Sequence, residues 1–240
     1  MQPYRTMTEM AAQALREGIL KGTLTPGTHL IPSKLESELA LGRVAIREAI
    51  RELAGAGLVE SIPNKGTVVA EPLTLGEIKE LYNVRSYIES KAAVIGAKSL
   101  IRAELNRMTE LHQIMCDKQL PLLDYFLPNR EFHFILYRAS GWKYIIKLIS
   151  QIWDQILAFR SFQKFNVGNP EKFSQEHQMI LEALKSGEFN KVGQLIKVNL
   201  QSGLNQILSM AGQKSTGSEA DRSDRSAHPV TRQIQNHEQA

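Results

Sequence analysis

The sequence predicts a mainly α-helical protein in two parts: a small helical unit closed by a β-hairpin, then an all-α antiparallel bundle. Three observations carry this. Apolar residues recur at helical spacing through most of the chain, the strand-like segments fall only between residues 58 and 70, and glycine and proline cut the helical pattern into bundle-length pieces. A chain of 240 residues is long enough for two modest domains, each burying its own core.

Residues 7–21 carry Met7, Met10, Ala11, Ala14, Leu15, Ile19 and Leu20 at helical spacing, and Gly22 follows where a helix commonly stops. Thr25-Pro26-Gly27 is a turn by composition, because proline fixes φ and glycine accepts positive φ. Short helices fit residues 33–39 and 43–55, the second ending near Gly55 and Gly57. Residues 58–62, the turn Pro63-Asn64-Lys65-Gly66 and residues 67–70 read as a hairpin whose Asn64 and Gly66 can take positive φ. Three helices and a hairpin in residues 1–72 are the layout of a winged helix-turn-helix, with the helix-turn-helix over about 32–51 and the wing over about 58–70.

Pro72 closes this unit, and from Thr74 onward the pattern is helical. Helices fit near 75–98, 101–118, 120–139, 142–164, 171–186 and 188–210, with breaks at Ser140-Gly141, Gly168-Asn169-Pro170 and Ser186-Gly187. Thr74 and Glu77 have the spacing of a capping box. Residues 75–211 therefore read as an all-helical domain. Residues 212–240 are rich in Ser, Gln, Asp, Arg and Gly with almost no large apolar side chain, which predicts a disordered tail.

Composition excludes several classes. The single cysteine, Cys116, rules out an intrachain disulfide framework and a cysteine-rich zinc site, and fits a reducing compartment. No apolar run approaches the ~18–20 residues that span a bilayer, and the N-terminus lacks an apolar signal segment, so the expectation is a cytoplasmic protein. A net charge of +4 permits nucleic-acid binding without demonstrating it. Residues 1–72 contain eight Lys/Arg and eight Asp/Glu, so any case for DNA rests on where the charges sit.

The informative segment is residues 42–53. Ile46, Ala49, Ile50 and Leu53 make a stripe for burial, while Arg43, Arg47 and Arg51 recur every four residues on another face. A helix entering the major groove needs its N-terminal residues at base edges and cations flanking them for phosphates. Arg43 stands where a guanidinium pairs with guanine O6 and N7, and Val44 and Ala45 offer apolar contact to a thymine methyl. Arg47, one turn further in, reaches a base or a phosphate. The alternative is a solvated face, with Arg51 pairing locally to Glu48 or Glu52. Ser33, Lys34, Arg43, Val44, Ala45, Arg47, Arg51, Lys65 and Gly66 form the candidate DNA-contacting set.

Residues 14–22, Leu24-Thr25-Pro26-Gly27, residues 43–50, Gly57-Leu58-Val59 and Lys65-Gly66 with Val68-Val69 together resemble the GntR family of bacterial regulators. The resemblance implies that Arg43 and Arg47 contact an operator and that Lys65-Gly66, at the wing tip, enters the minor groove. Gly42 stands where the family usually has serine, and Glu36 and Ala40 replace its small residue and turn glycine. Residues 82–93, Asn129-Arg130-Glu131-Phe132-His133, residues 176–184 and Val198-Asn199-Leu200 resemble the FCD domain of the FadR-like branch. That domain implies dimerisation, a small-molecule effector, and a divalent metal held by one Asp and three His. Only His133 and His177 match the ligand set, because Asn129 and Asn199 replace an Asp and a His. Amide oxygens are poor ligands for transition metals. The preferred reading keeps the cavity without the metal, lined by Arg85, Asn129, His133, His177 and Asn199. Arg85 would anchor an anionic group, or the two asparagines a neutral ligand such as a phenol. Tyr125, Phe126, Phe132, Phe134, Trp142, Tyr144, Trp153, Phe159 and Phe162 read as bundle core or dimer surface, with room for one or two of them to border the ligand.

The function these readings support is a ligand-responsive regulator and repressor, a homodimer on pseudo-palindromic double-stranded DNA, released by an aromatic compound or organic acid. A metal-dependent enzyme on the bundle and a DNA-binding protein with a vestigial sensor are the competing readings.

Overall fold

The computed structural model describes residues 5–117 and 120–224. The elements run α1 (Met7–Leu20), α2 (Pro32–Leu39), α3 (Arg43–Gly55), β1 (Val59–Ile62), β2 (Gly66–Val69), α4 (Leu75–Ser99), α5 (Arg102–Met115), α6 (Leu122–Arg138), α7 (Lys143–Phe162), α8 (Pro170–Lys185) and α9 (Phe189–Asp224). The fold class is the one the sequence predicts, three helices and a two-stranded wing followed by a helical domain.

Each N-terminal element has a local cause. A capping box between Thr6 and Glu9 starts α1, and the same device between Thr74 and Glu77 starts α4. Pro32 occupies the first turn of α2, where its missing N–H costs nothing. Ala40 ends α2 in the left-handed region at φ 52°, the conformation a turn glycine would adopt freely. Gly42 caps α3 with no side-chain hydrogen bond. The wing pairs Val59 with Val69 through Ile62 with Gly66, and Asn64 (φ 62°) and Gly66 (φ 87°) turn the chain between them. A further rung escapes sequence reading: Leu30 N–H donates to the Thr67 carbonyl and Val69 N–H to Thr28, so residues 27–30 lie alongside β2.

The bundle is centred on α4, which packs against α6 and α9 at backbone distance. A Cβ on Gly96 would sit 1.9 Å from the Leu136 carbonyl oxygen of α6, and one on Gly193 of α9 would sit 3.0 Å from the Ser90 carbonyl oxygen. Pro128 interrupts the hydrogen-bond ladder of α6 between Tyr125 and Asn129, both of which prove to line a cavity.

The tail expectation needs correction. Residues 212–224 continue α9 as helix, and only 225–240 of the expected disordered segment lie outside the described residues. Composition reports whether a segment can bury a core. A helix already nucleated by packing can propagate at small cost per residue without one.

Candidate nucleic-acid interface and effector cavity

The buried stripe of α3 comprises Ala45, Ile46, Ala49, Ile50 and Leu53, and its packing fixes the direction of the opposite face. Arg43 lies at the N-terminal end of that face with its side chain half exposed (53%), held by an exposed ion pair from Nε to Glu36 Oε2 at 3.0 Å. Arg47 is exposed, as are Ser33 and Lys34 on α2 and Lys65 and Gly66 at the wing tip. Lys34 pairs with Glu38 at 3.6 Å, and Arg51 pairs with Glu48 one turn back. Exposed pairs of this kind are worth only about 0.2–1 kcal/mol, so they yield readily to a stronger partner. Val44 is 77% exposed, whereas Ala45 is buried at 9%. Ala45 is therefore removed from the candidate contacts. It stands one turn before Ala49 and joins the packed stripe, which turns its methyl inward.

In the helical domain a cavity opens between α4, α6, α7, α8 and α9. Its walls include Arg85, Asn129 and Asn199 from the expected set, together with Tyr125, Trp153 and Arg160. The free volume at its heart is about 40 Å³, room for a few waters. Arg85 reaches the wall already neutralised: its Nε donates to Glu89 Oε1 at 2.5 Å and its Nη2 to Oε2 at 3.3 Å. Tyr137 Oη (2.7 Å) and Trp153 Nε1 (3.4 Å) also donate to Glu89, and the guanidinium lies over the Trp153 ring at 4.5 Å. Burial is the largest single influence and works against the Arg85 charge, but Glu89, Tyr82 and Tyr137 together outweigh it and hold the pKa above the ordinary value.

His133 and His177 stand together behind the wall, Nε2 to Nε2 at 3.3 Å, and do not line the cavity. Such a bond needs one ring to donate and the other to accept. Burial holds both imidazoles neutral. His133 is pushed well below its usual range by burial, then by His177 and Arg85, against a hydrogen bond that its ring donates to the Asn199 side chain. His177 is pushed to about 3 by burial and by His112. Asn199 gives its amide nitrogen to Glu176 Oε2 at 2.8 Å, and Ser202 Oγ satisfies Glu176 Oε1 at 2.6 Å.

This donor set does not fit the divalent metal that the resemblance implies. The two imidazoles are joined to each other, the remaining two positions are neutral amides, and the nearby Glu176 carboxylate is taken by Asn199 and Ser202. Among the described residues no group of three or more His, Cys, Asp or Glu side chains is placed to hold a metal.

The two halves meet along α7. Its Trp153, Ile156, Leu157 and Arg160 line the cavity, while neighbouring side chains grip the end of α3. Gln151 Nε2 donates to the Gly55 carbonyl at 3.0 Å and Gln155 Nε2 to Ala56 at 2.8 Å. Asp154 accepts from Arg16 Nε at 3.0 Å, and Arg16 also pairs with Glu52 of α3 at 2.9 Å.

Sequence reasoning missed Arg160 and Phe173 as cavity residues, and it did not single out Tyr125 and Trp153 from the aromatic set as the ones that border the cavity. For Arg160 a signal existed, a lone cation ending the apolar run Ile156-Leu157-Ala158-Phe159.

Residues 7–69 match the model of the bacterial regulatory proteins of the gntR family, and residues 80–202 match that of the FCD domain. The chain is 22% identical over 203 residues to the HTH-type transcriptional repressor RspR of Escherichia coli, covering 84% of this chain and 89% of that protein. The solved structure of E. coli McbR/YncC superposes with a TM-score of 0.72 at 19% identity, covering 88% of this chain and 100% of the other. A GntR regulator from Rhodococcus sp. RHA1 gives 0.67 at 24%, covering 84% and 97%. No described helix is long and apolar enough to cross a membrane. With both of its halves matched, the chain belongs to the GntR family of transcription regulators and carries an FCD effector-binding domain.

Proposed function

We propose that this regulator is a repressor that binds a pseudo-palindromic operator as a homodimer and is released when a small aromatic compound or organic acid enters the helical domain. The carrying observation is the half-exposed Arg43 guanidinium at the N-terminal end of α3, braced by a buried stripe, in a unit that also carries the two-stranded wing. Arg43 and Arg47 read the major groove, Val44 meets a thymine methyl, Ser33, Lys34 and Arg51 approach phosphates, and Lys65-Gly66 enters the minor groove. Repression accords with the E. coli relative RspR, itself a transcriptional repressor. Exposed Val84 and Tyr87 on α4, and Tyr144 and Leu148 on α7, supply apolar surface for a second copy.

Control runs through α7. A ligand that displaces Trp153 or Leu157 moves the helix whose Gln151, Asp154 and Gln155 hold the α3 end, so ligated and free states favour different placements of the two reading heads. Only such differential affinity shifts an equilibrium. The test is operator selection from genomic fragments, then gel shifts. Arg43→Ala abolishes specific binding, since a bidentate arginine–guanine contact is worth about 1–3 kcal/mol per site. Arg51→Ala weakens it slightly. Equal, small effects from both would mean that α3 presents another face.

A further inference from the structure

We infer that the cavity is an anion site, and that the carboxylate of an aromatic monocarboxylic acid of about benzoate's size binds Arg160 and the hydroxyl of Tyr125. This rests on the regulator reading and assigns that reading's effector a chemical class.

The argument starts from charge. Two guanidiniums line the cavity, Arg85 and Arg160. Glu89 matches Arg85 with two hydrogen bonds. Arg160 is only 2% exposed, and its partners are neutral: Nη1 donates to Gln206 Oε1 at 3.2 Å and Nη2 to the Gly203 carbonyl at 3.0 Å. Among the described residues no carboxylate forms an ion pair with it. Glu176 is satisfied by Ser202 and Asn199. A buried charge without a counter-charge is strongly unfavourable, and an entering anion relieves that penalty.

Tyr125 is the second, independent observation. It lines the same cavity, is 2% exposed, and its hydroxyl has no hydrogen-bond partner. Native proteins satisfy nearly all such groups, so an orphan on a cavity wall points to a missing acceptor. A carboxylate supplies one oxygen to the hydroxyl and another to the guanidinium.

The remaining wall sets the body of the ligand. Phe126 lies under the Arg160 guanidinium at 4.9 Å, and Trp153, Phe173, Leu157 and Leu200 complete an apolar, largely aromatic lining. One unmatched cation selects one negative charge: a dicarboxylate would bring a second with nothing to meet it.

The experiment is isothermal titration calorimetry of the full chain with benzoate, phenylacetate, benzyl alcohol and succinate. Benzoate or phenylacetate binds saturably, at least ~10-fold tighter than benzyl alcohol or succinate, consistent with a charge-assisted hydrogen bond. Tyr125→Phe weakens the acid about tenfold without lowering the unliganded melting temperature, because it removes an unsatisfied group. Arg160→Lys retains part of the binding that Arg160→Gln loses. Where Arg160→Gln fails to fold, Tyr125→Phe carries the test. Benzyl alcohol binding as well as the acids, Tyr125→Phe leaving their affinity unchanged, or no monocarboxylate binding at all would overturn the inference. Failure of unliganded wild-type protein to capture operator would instead overturn the regulator reading and leave the calorimetry standing.

Discussion

Acidification should destabilise this protein through its buried histidines, and His177 gives the size of the effect. Its imidazole has an ordinary value of 6.5 and is held at about 3 in the fold, by burial first and by His112 second. Between those values the unfolded chain binds a proton that the native chain refuses. Unfolding free energy therefore rises with pH across this window. The stability conferred by the neutral ring is complete above 6.5 and is lost as pH falls toward 3. At pH 5 the loss is about RT ln(1 + 10^1.5), roughly 2 kcal/mol, against about 0.2 kcal/mol at pH 7. His133, also depressed by burial, acts in the same direction. Asp154 acts in the opposite one, since burial raises its carboxyl despite Arg130 and Arg16. Urea unfolding followed by far-UV circular dichroism at pH 7 and pH 5, on wild type and His177→Gln, cancels the Asp154 contribution. Wild type should lose about 2 kcal/mol more than the variant. Equal losses in both, or an NMR titration of His177 with a midpoint near 6.5, would refute the reasoning.

Three other outcomes follow from the fold. Glu89→Gln strands the Arg85 guanidinium in the bundle, where breaking a buried pair typically costs about 3–5 kcal/mol; an unchanged melting temperature would show that another group carries the counter-charge. Ala40→Gly relieves a left-handed alanine worth about 1–2 kcal/mol, against about 0.5–1 kcal/mol of glycine entropy, so the melting temperature rises slightly instead of falling. Gly96→Ala places a methyl 1.9 Å from the Leu136 carbonyl and forces α4 from α6, at about 2 kcal/mol or more by chemical denaturation.

What the sequence revealed was local. Turn glycines, the caps at Thr74 and Gly42, and the four-residue recurrence of arginines are written in neighbouring residues, so the wing and α3 were legible. The rung at residues 27–30 was not, because a short segment pairing with a strand nearly 40 residues away carries no period of its own. Ala45 was misplaced because a small residue beside an apolar stripe suits either face. In sequence Arg85 reads as an anchor for an anionic group only because its partner Glu89, four residues on along the same helix, is not weighed. The cavity wall was harder to see, since Tyr125, Trp153 and Phe173 look in sequence like any core aromatic. Only the meeting of five helices separates wall from filling.

The narrowness of the cavity has a kinetic consequence. With about 40 Å³ free at its heart, the cavity is smaller than a ring-sized molecule, so its packed lining has to shift before one is seated. Capture then waits on that breathing motion, and the observed rate should level off at high ligand concentration at the frequency of opening. The same rearrangement precedes departure, so it slows release as well as capture.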